Sequence, residues 1–102
     1  MRRIKLTVAY DGTDYCGWQI QPNGITVEEV LNKALSDLTK ETVKVIGASR
    51  TDAGVHARGN VAVFDTKSPI PPERIAYAVN ALLPDDIVVM RSEEVGCDWH
   101  PR

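Results

Sequence analysis

An α+β fold with the element order β-α-β-β-α-β is predicted by three observations. Four stretches carry strand character, two amphipathic helical stripes stand between them, and each helix is announced by its own start signal. The first strand lies in "RIKLTVAY" (3–10), where Ile4, Leu6 and Val8 alternate with Lys5 and Thr7, the period of a strand with one buried face. "DGTDYCGWQIQPNG" (11–24) follows, rich in glycine and turn residues yet holding Tyr15 and Trp18, and reads as a long loop. Loops of that length inside a compact domain are often functional.

Thr26 and Glu29 form a capping box, the hydroxyl serving an early helical amide and the carboxylate reaching back. Val27, Val30, Leu31, Ala34, Leu35 and Leu38 then mark one face of the helix. "VKVI" (43–46) predicts a short second strand, and "NVAVFDT" (60–66), apolar almost throughout, a third. Pro69, Pro71 and Pro72 open a second helix, since proline costs nothing in a first turn. Ile75, Val79 and Leu82 supply its buried stripe and Pro84 stops it. "DIVVMRSEEV" (86–95) is the fourth strand, after which "GCDWHPR" simply runs out.

This order is the ferredoxin-like, or split βαβ, pattern. With right-handed crossovers it yields one antiparallel four-stranded sheet with both helices on one face, the other face being left for something else. At 102 residues the chain has the length of one domain, 1–102. With 43% hydrophobic and 25% charged residues it has the composition of a soluble globular protein. No apolar run approaches a membrane span, and the basic start "MRRIKLTVAY" lacks the apolar core of a secretory signal. Cys16 and Cys97 have no paired spacing, which predicts reduced thiols in a cytoplasmic protein and no metal site. A net charge of −2 does not advertise nucleic acid, so an RNA partner has to be argued from local features.

The local feature is "GASRTDAGVHARGNV" (47–61), which gathers Arg50, Thr51, Asp52, His56 and Arg58 between Gly47, Gly54 and Gly59. This stretch resembles the active-site motif of the tRNA pseudouridine synthase I, or TruA, family. "YDGTDYCGWQIQPNGITVEEVL" (10–31), "LTKE" (38–41), "NALLPDDIVV" (80–89) and "WHPR" (99–102) resemble that family in order and spacing, so the likeness runs through the whole chain. The resemblance implies an isomerase that converts uridine to pseudouridine in the anticodon arm of tRNA, without metal or organic cofactor and as a homodimer. It implies that Asp52 is the catalytic nucleophile. The family fold has two ferredoxin-like halves sharing a continuous sheet with a cleft between them. The chain then corresponds to the N-terminal, aspartate-bearing half. The missing C-terminal half would supply a tyrosine against the target base and a basic partner for the aspartate, and the chain alone is expected to be inactive.

The residue chemistry fits that reading. A carboxylate of ordinary pKa ~3.9 is already ionised at pH 7, so Asp52 needs positioning rather than a general base. Attack on C1′ of the sugar, attack on C6 of the base and help in removing a sugar proton all remain open. Gly47 and Gly54 would let the backbone turn sharply and approach a nucleotide. Arg50, Arg58 and His56 are the candidate RNA contacts. Arg50 either pairs with phosphate or fills the stack left by a flipped base, or else it is a surface arginine or an internal partner of Asp52. Arg58 is a phosphate contact or a solvated arginine, and His56 bonds a phosphate or the loop backbone. Tyr10, Asp11, Tyr15 and Trp18 either approach the RNA or, for Tyr15 and Trp18, cover the sheet edge or core. The "RRIK" start adds phosphate contacts or is only a basic strand end.

The alternative function is a non-catalytic ferredoxin-like RNA-binding or assembly domain. "RGNVAVF" (58–64) is superficially like the RNP1 string of an RRM, but Asn60 and Ala62 stand where stacking aromatics are required. An assembly domain would explain the apolar strands but not Arg50-Thr51-Asp52.

Overall fold

The computed structural model describes residues 1–18, 24–47 and 57–101. Among them lie strand β1 (Arg2–Tyr10), helix α1 (Val27–Thr39), strands β2 (Ile46–Gly47) and β3 (Ala57–Thr66), helix α2 (Pro72–Asn80) and strand β4 (Ile87–Val95). The sheet order is β2-β3-β1-β4 and every pairing is antiparallel, which is the predicted ferredoxin-like topology. β1 is one of the two central strands, and from Ile4 onward its even-numbered residues are apolar. Ile4, Leu6, Val8 and Tyr10 are buried, and they meet Leu31 and Leu35 of α1 and Ile75 and Val79 of α2 in one core. Across the sheet, Ile4 pairs with Phe64 and Leu6 with Ala62. Ala62, Val63 and Phe64 are all buried, which accounts for the unbroken apolar run in that strand.

α1 begins with the hydroxyl half of the predicted capping box, Thr26 Oγ1 accepting from the Glu29 amide at 3.3 Å. The preceding loop completes the cap. The Val27 amide donates to the Gly17 carbonyl (3.1 Å) and the Glu28 amide to the Trp18 carbonyl (3.0 Å). Gly17 needs to be glycine for this, since its φ of 90° is costly for any side chain. Lys40, in the left-handed region, ends the helix.

α2 has no side-chain cap at Pro71 and is held from the sheet instead. Ser92 Oγ accepts from the Ala76 amide at 2.9 Å and donates to the Pro72 carbonyl at 2.6 Å, a hydroxyl set between two groups one turn apart. Asn80 closes the other end, its Oδ1 accepting from the Val89 amide at 2.8 Å and its Nδ2 donating to the Val89 carbonyl at 2.9 Å.

Four expectations need correction. The second strand is 46–47 rather than 43–46, because the Val43 amide goes to Ser36 Oγ and the Val45 amide to Asn32 Oδ1, both on α1. Val43 and Val45 are buried all the same, which is what their alternation recorded. α2 ends at Asn80, well short of Pro84, so Leu82 falls in a turn and is 51% exposed instead of buried. Among its described residues the long first loop contains a 3-10 turn, Gly12–Asp14, closed by Asp11. The C-terminal tail does not run out into solvent. Arg3 donates to the Trp99 carbonyl at 2.8 Å, and the Lys5 ammonium lies 5.2 Å from the Trp99 ring. Arg3 and Lys5 alternate with the core residues of β1, so the tail crosses the sheet face opposite the helices.

The "RRIK" start is thereby engaged within the fold. Arg2 donates to the carbonyls of Ser68 and Ile70. Arg3 grips Asp65 with two hydrogen bonds, 2.8 and 3.1 Å, which hold the Asp65 carboxyl below the usual carboxylate range.

Candidate active site

The C-terminal end of β1 and the N-terminal ends of β3 and β4 come together at one edge of the sheet. Tyr10 pairs with Ala57 on one side and with Ile87 on the other. A cleft of about 460 Å³ opens here, lined by Ala9, Tyr10, Asp11, Ala57, Arg58, Asp85, Asp86 and Val88. Arg58 is exposed on the first turn of strand after the 48–56 segment. Of the predicted site residues, Arg58 is the one within the described part of the chain. Arg50, Asp52 and His56 lie outside the described residues, as do Thr51 and Gly54.

Two of the three cleft carboxylates have internal work. Asp11 accepts from the Thr13 amide at 3.0 Å and from its hydroxyl at 2.6 Å, shaping the 3-10 turn. Asp86 accepts from the Tyr15 hydroxyl at 2.6 Å, while its carbonyl takes the Asp11 amide at 2.9 Å. The loop after β1 is thus tied to the start of β4, and nothing in the sequence signals a pairing between residues so far apart. Burial first, and then the bond to Asp86, pushes the Tyr15 hydroxyl well above its ordinary pKa. No group of three or more His, Cys, Asp or Glu able to hold a metal ion occurs among the described residues, and both cysteines are free thiols.

A raised tyrosine pKa stabilises the fold fully below the unfolded value of ~10, and that stabilisation is lost as pH climbs past it. Tyr15→Phe is expected to cost about 1–2 kcal/mol at neutral pH, the scale of a hydrogen bond to a charged acceptor. The same change should flatten the alkaline decline in stability above pH ~10. Urea unfolding of both proteins from pH 7 to 11 checks this, and an unchanged alkaline slope would count against the latch.

Tyr15 and Trp18 resolve in favour of the core, being 8% and 2% exposed. Trp18 also changes the explanation for Gly47. The backbone of that glycine lies outside the left-handed region. A Cβ placed there would lie 2.5 Å from Trp18 Nε1, 2.7 Å from Cε2 and 2.9 Å from Cζ2. Gly47 is required because an indole occupies the space its side chain would take. The Trp18 ring in turn meets Tyr10, with centroids 6.0 Å apart and planes tilted by 34°. A tryptophan in a glycine-rich loop and a glycine ending a strand were both visible in the sequence, but their contact was not.

With this geometry in place, comparison with known proteins is informative. A family model described as tRNA pseudouridine synthase matches residues 6–102. A protein named tRNA pseudouridine synthase A from Ruminiclostridium cellulolyticum is 60% identical over 102 residues, covering all of this chain and 42% of the relative. Proteins of the same name from Acetivibrio thermocellus and Clostridium acetobutylicum are 55% and 51% identical, again over the whole chain and 42% of their own length. The chain therefore spans about two fifths of the length of the curated relatives it matches.

Proposed function

Because the chain belongs to the tRNA pseudouridine synthase family, we propose that it is the N-terminal, aspartate-bearing domain of an enzyme that isomerises uridine to pseudouridine in the anticodon arm of tRNA. The observation that carries the reading is the string Arg50-Thr51-Asp52-Ala53-Gly54-Val55-His56, which falls between β2 and β3 in the chain and runs directly into Ala57 and Arg58, two residues that line the cleft. In the reaction the N1–C1′ bond of uridine breaks, the base turns, a C5–C1′ bond forms, the C5 hydrogen leaves as a proton and N1 takes one up. Asp52 is the ionised group that engages the nucleoside. Arg58, with Arg50 and His56, meets phosphate or the strand around the extruded base. The flipped base costs a few kcal/mol, which those contacts offset.

The remaining three fifths of the enzyme supply the far wall of the cleft, and two copies form the working homodimer in the cytoplasm. No helix among the described residues is long and apolar enough to cross a membrane. The test is tritium release from 5-tritiated uridine in tRNA. The full-length polypeptide should release tritium stoichiometrically from its target uridines, whereas the 102-residue chain should fold and release none. Failure of the full-length protein on unmodified tRNA overturns the proposal. Turnover by the short chain would show the remaining residues to be dispensable.

A further inference from the structure

We propose that Trp18 is a positioning residue for this reaction, the seat that fixes both ends of the segment carrying Asp52. The inference rests on the function proposed above, but its geometry does not. Gly47 and Ala57 are the described residues flanking 48–56, and Asp52 is five residues from each. Gly47 is buried and paired with Ala62 in the sheet, with the indole edge filling its Cβ position. Ala57 is paired with Tyr10, directly after a register irregularity between Val8 and Tyr10. Tyr10 packs on the same indole. One aromatic pair therefore underlies both feet.

The seat is itself fixed. The Trp18 carbonyl is held by the Glu28 amide at the start of α1, and the neighbouring Gly17 carbonyl by Val27. At 2% exposure the Trp18 side chain is covered by protein, so it acts through Gly47 and Tyr10 and not by touching RNA. A shift of about 1 Å in a reacting group can cost about 100-fold in rate without loss of binding. An alanine at 47 has to displace either the indole or its own strand by about that distance, since real Cβ contacts below 3.0 Å essentially do not occur.

The experiment uses the full-length enzyme with Gly47→Ala, Trp18→Leu, Trp18→Phe and the Gly47→Ala/Trp18→Leu double variant. Below its melting temperature, Gly47→Ala should lose about 100-fold in kcat on tRNA with KM within about threefold. Leucine lacks all three clashing atoms, so the double variant should recover at least about tenfold over Gly47→Ala. Should Gly47→Ala fail to fold, Trp18→Phe carries the test, with about a tenfold loss in kcat and an unchanged KM. A purely structural role predicts lower melting temperatures with unchanged kcat per folded molecule, and that result overturns the proposal. Hydrogen exchange across 48–56 gives a readout independent of activity. It should quicken in Gly47→Ala or Trp18→Phe while α2 exchanges as in the wild type. Unchanged exchange in both variants refutes the seat even if the enzyme proves to have another activity, whereas an inactive wild type with quickened exchange refutes only the assigned reaction.

Discussion

Asp52→Asn in the full-length polypeptide is expected to abolish pseudouridine formation while leaving tRNA affinity within about tenfold, or ~1.4 kcal/mol. The amide is nearly isosteric with the carboxylate, so contacts that only hold the RNA survive. What is lost is the negative oxygen that the proposed reaction requires, and an amide cannot replace it as a nucleophile. Removing one negative charge near phosphates also works against any fall in affinity. Tritium release and filter binding at one fixed salt concentration measure the two effects separately. Normal turnover by the variant would remove Asp52 from the mechanism. In the 102-residue chain the substitution should move stability by no more than about 0.5 kcal/mol, since the role proposed for Asp52 is in the reaction and not in the fold.

The second large effect is on folding. Leu35→Ala should destabilise the chain by about 2–5 kcal/mol, out of a total of ~5–15 kcal/mol for a domain of this kind. Leu35 is fully buried in the single core that α1, α2 and the sheet share, so its loss leaves a cavity that no flexible neighbour on the surface can fill. Urea unfolding should show the midpoint falling by about 1–3 M with the slope unchanged. A shift below about 0.5 M would mean that the α1 face packs more loosely than its burial indicates.

Where sequence and structure agree, the reason is local. The period of two in β1 and the Thr26 cap are properties of neighbouring residues, and both survive folding unchanged. The ferredoxin-like order follows from such signals plus the handedness of crossovers. Where they differ, a distant partner decides. Val43 and Val45 look like strand residues, yet Ser36 and Asn32 take the amides that a ladder would have used. Leu82 fits a helical stripe, but Asn80 turns its amide group onto β4 and the helix ends there. The candidate site was legible only as a motif, since Arg50, Asp52, His56 and Arg58 crowd one stretch of which Arg58 alone is among the described residues. Its supports were not, because Trp18 beneath Gly47 and Asp86 beside Tyr15 are contacts between remote segments.

The cap on α1 has a consequence for how RNA can be held. The N-terminus of a helix is a ready anion site when its first amides point outward, and many phosphate-binding proteins depend on that. Here the amides of Val27, Glu28 and Glu29 are already committed to Gly17, Trp18 and Thr26, and Glu28 and Glu29 add negative charge to the same turn. The partial positive charge of the α1 dipole is consumed in shaping the loop that seats Gly47. Under the proposed function, phosphate recognition therefore does not draw on the first amides of α1, and the share carried by guanidinium groups such as that of Arg58 takes on the steep ionic-strength dependence of counterion release.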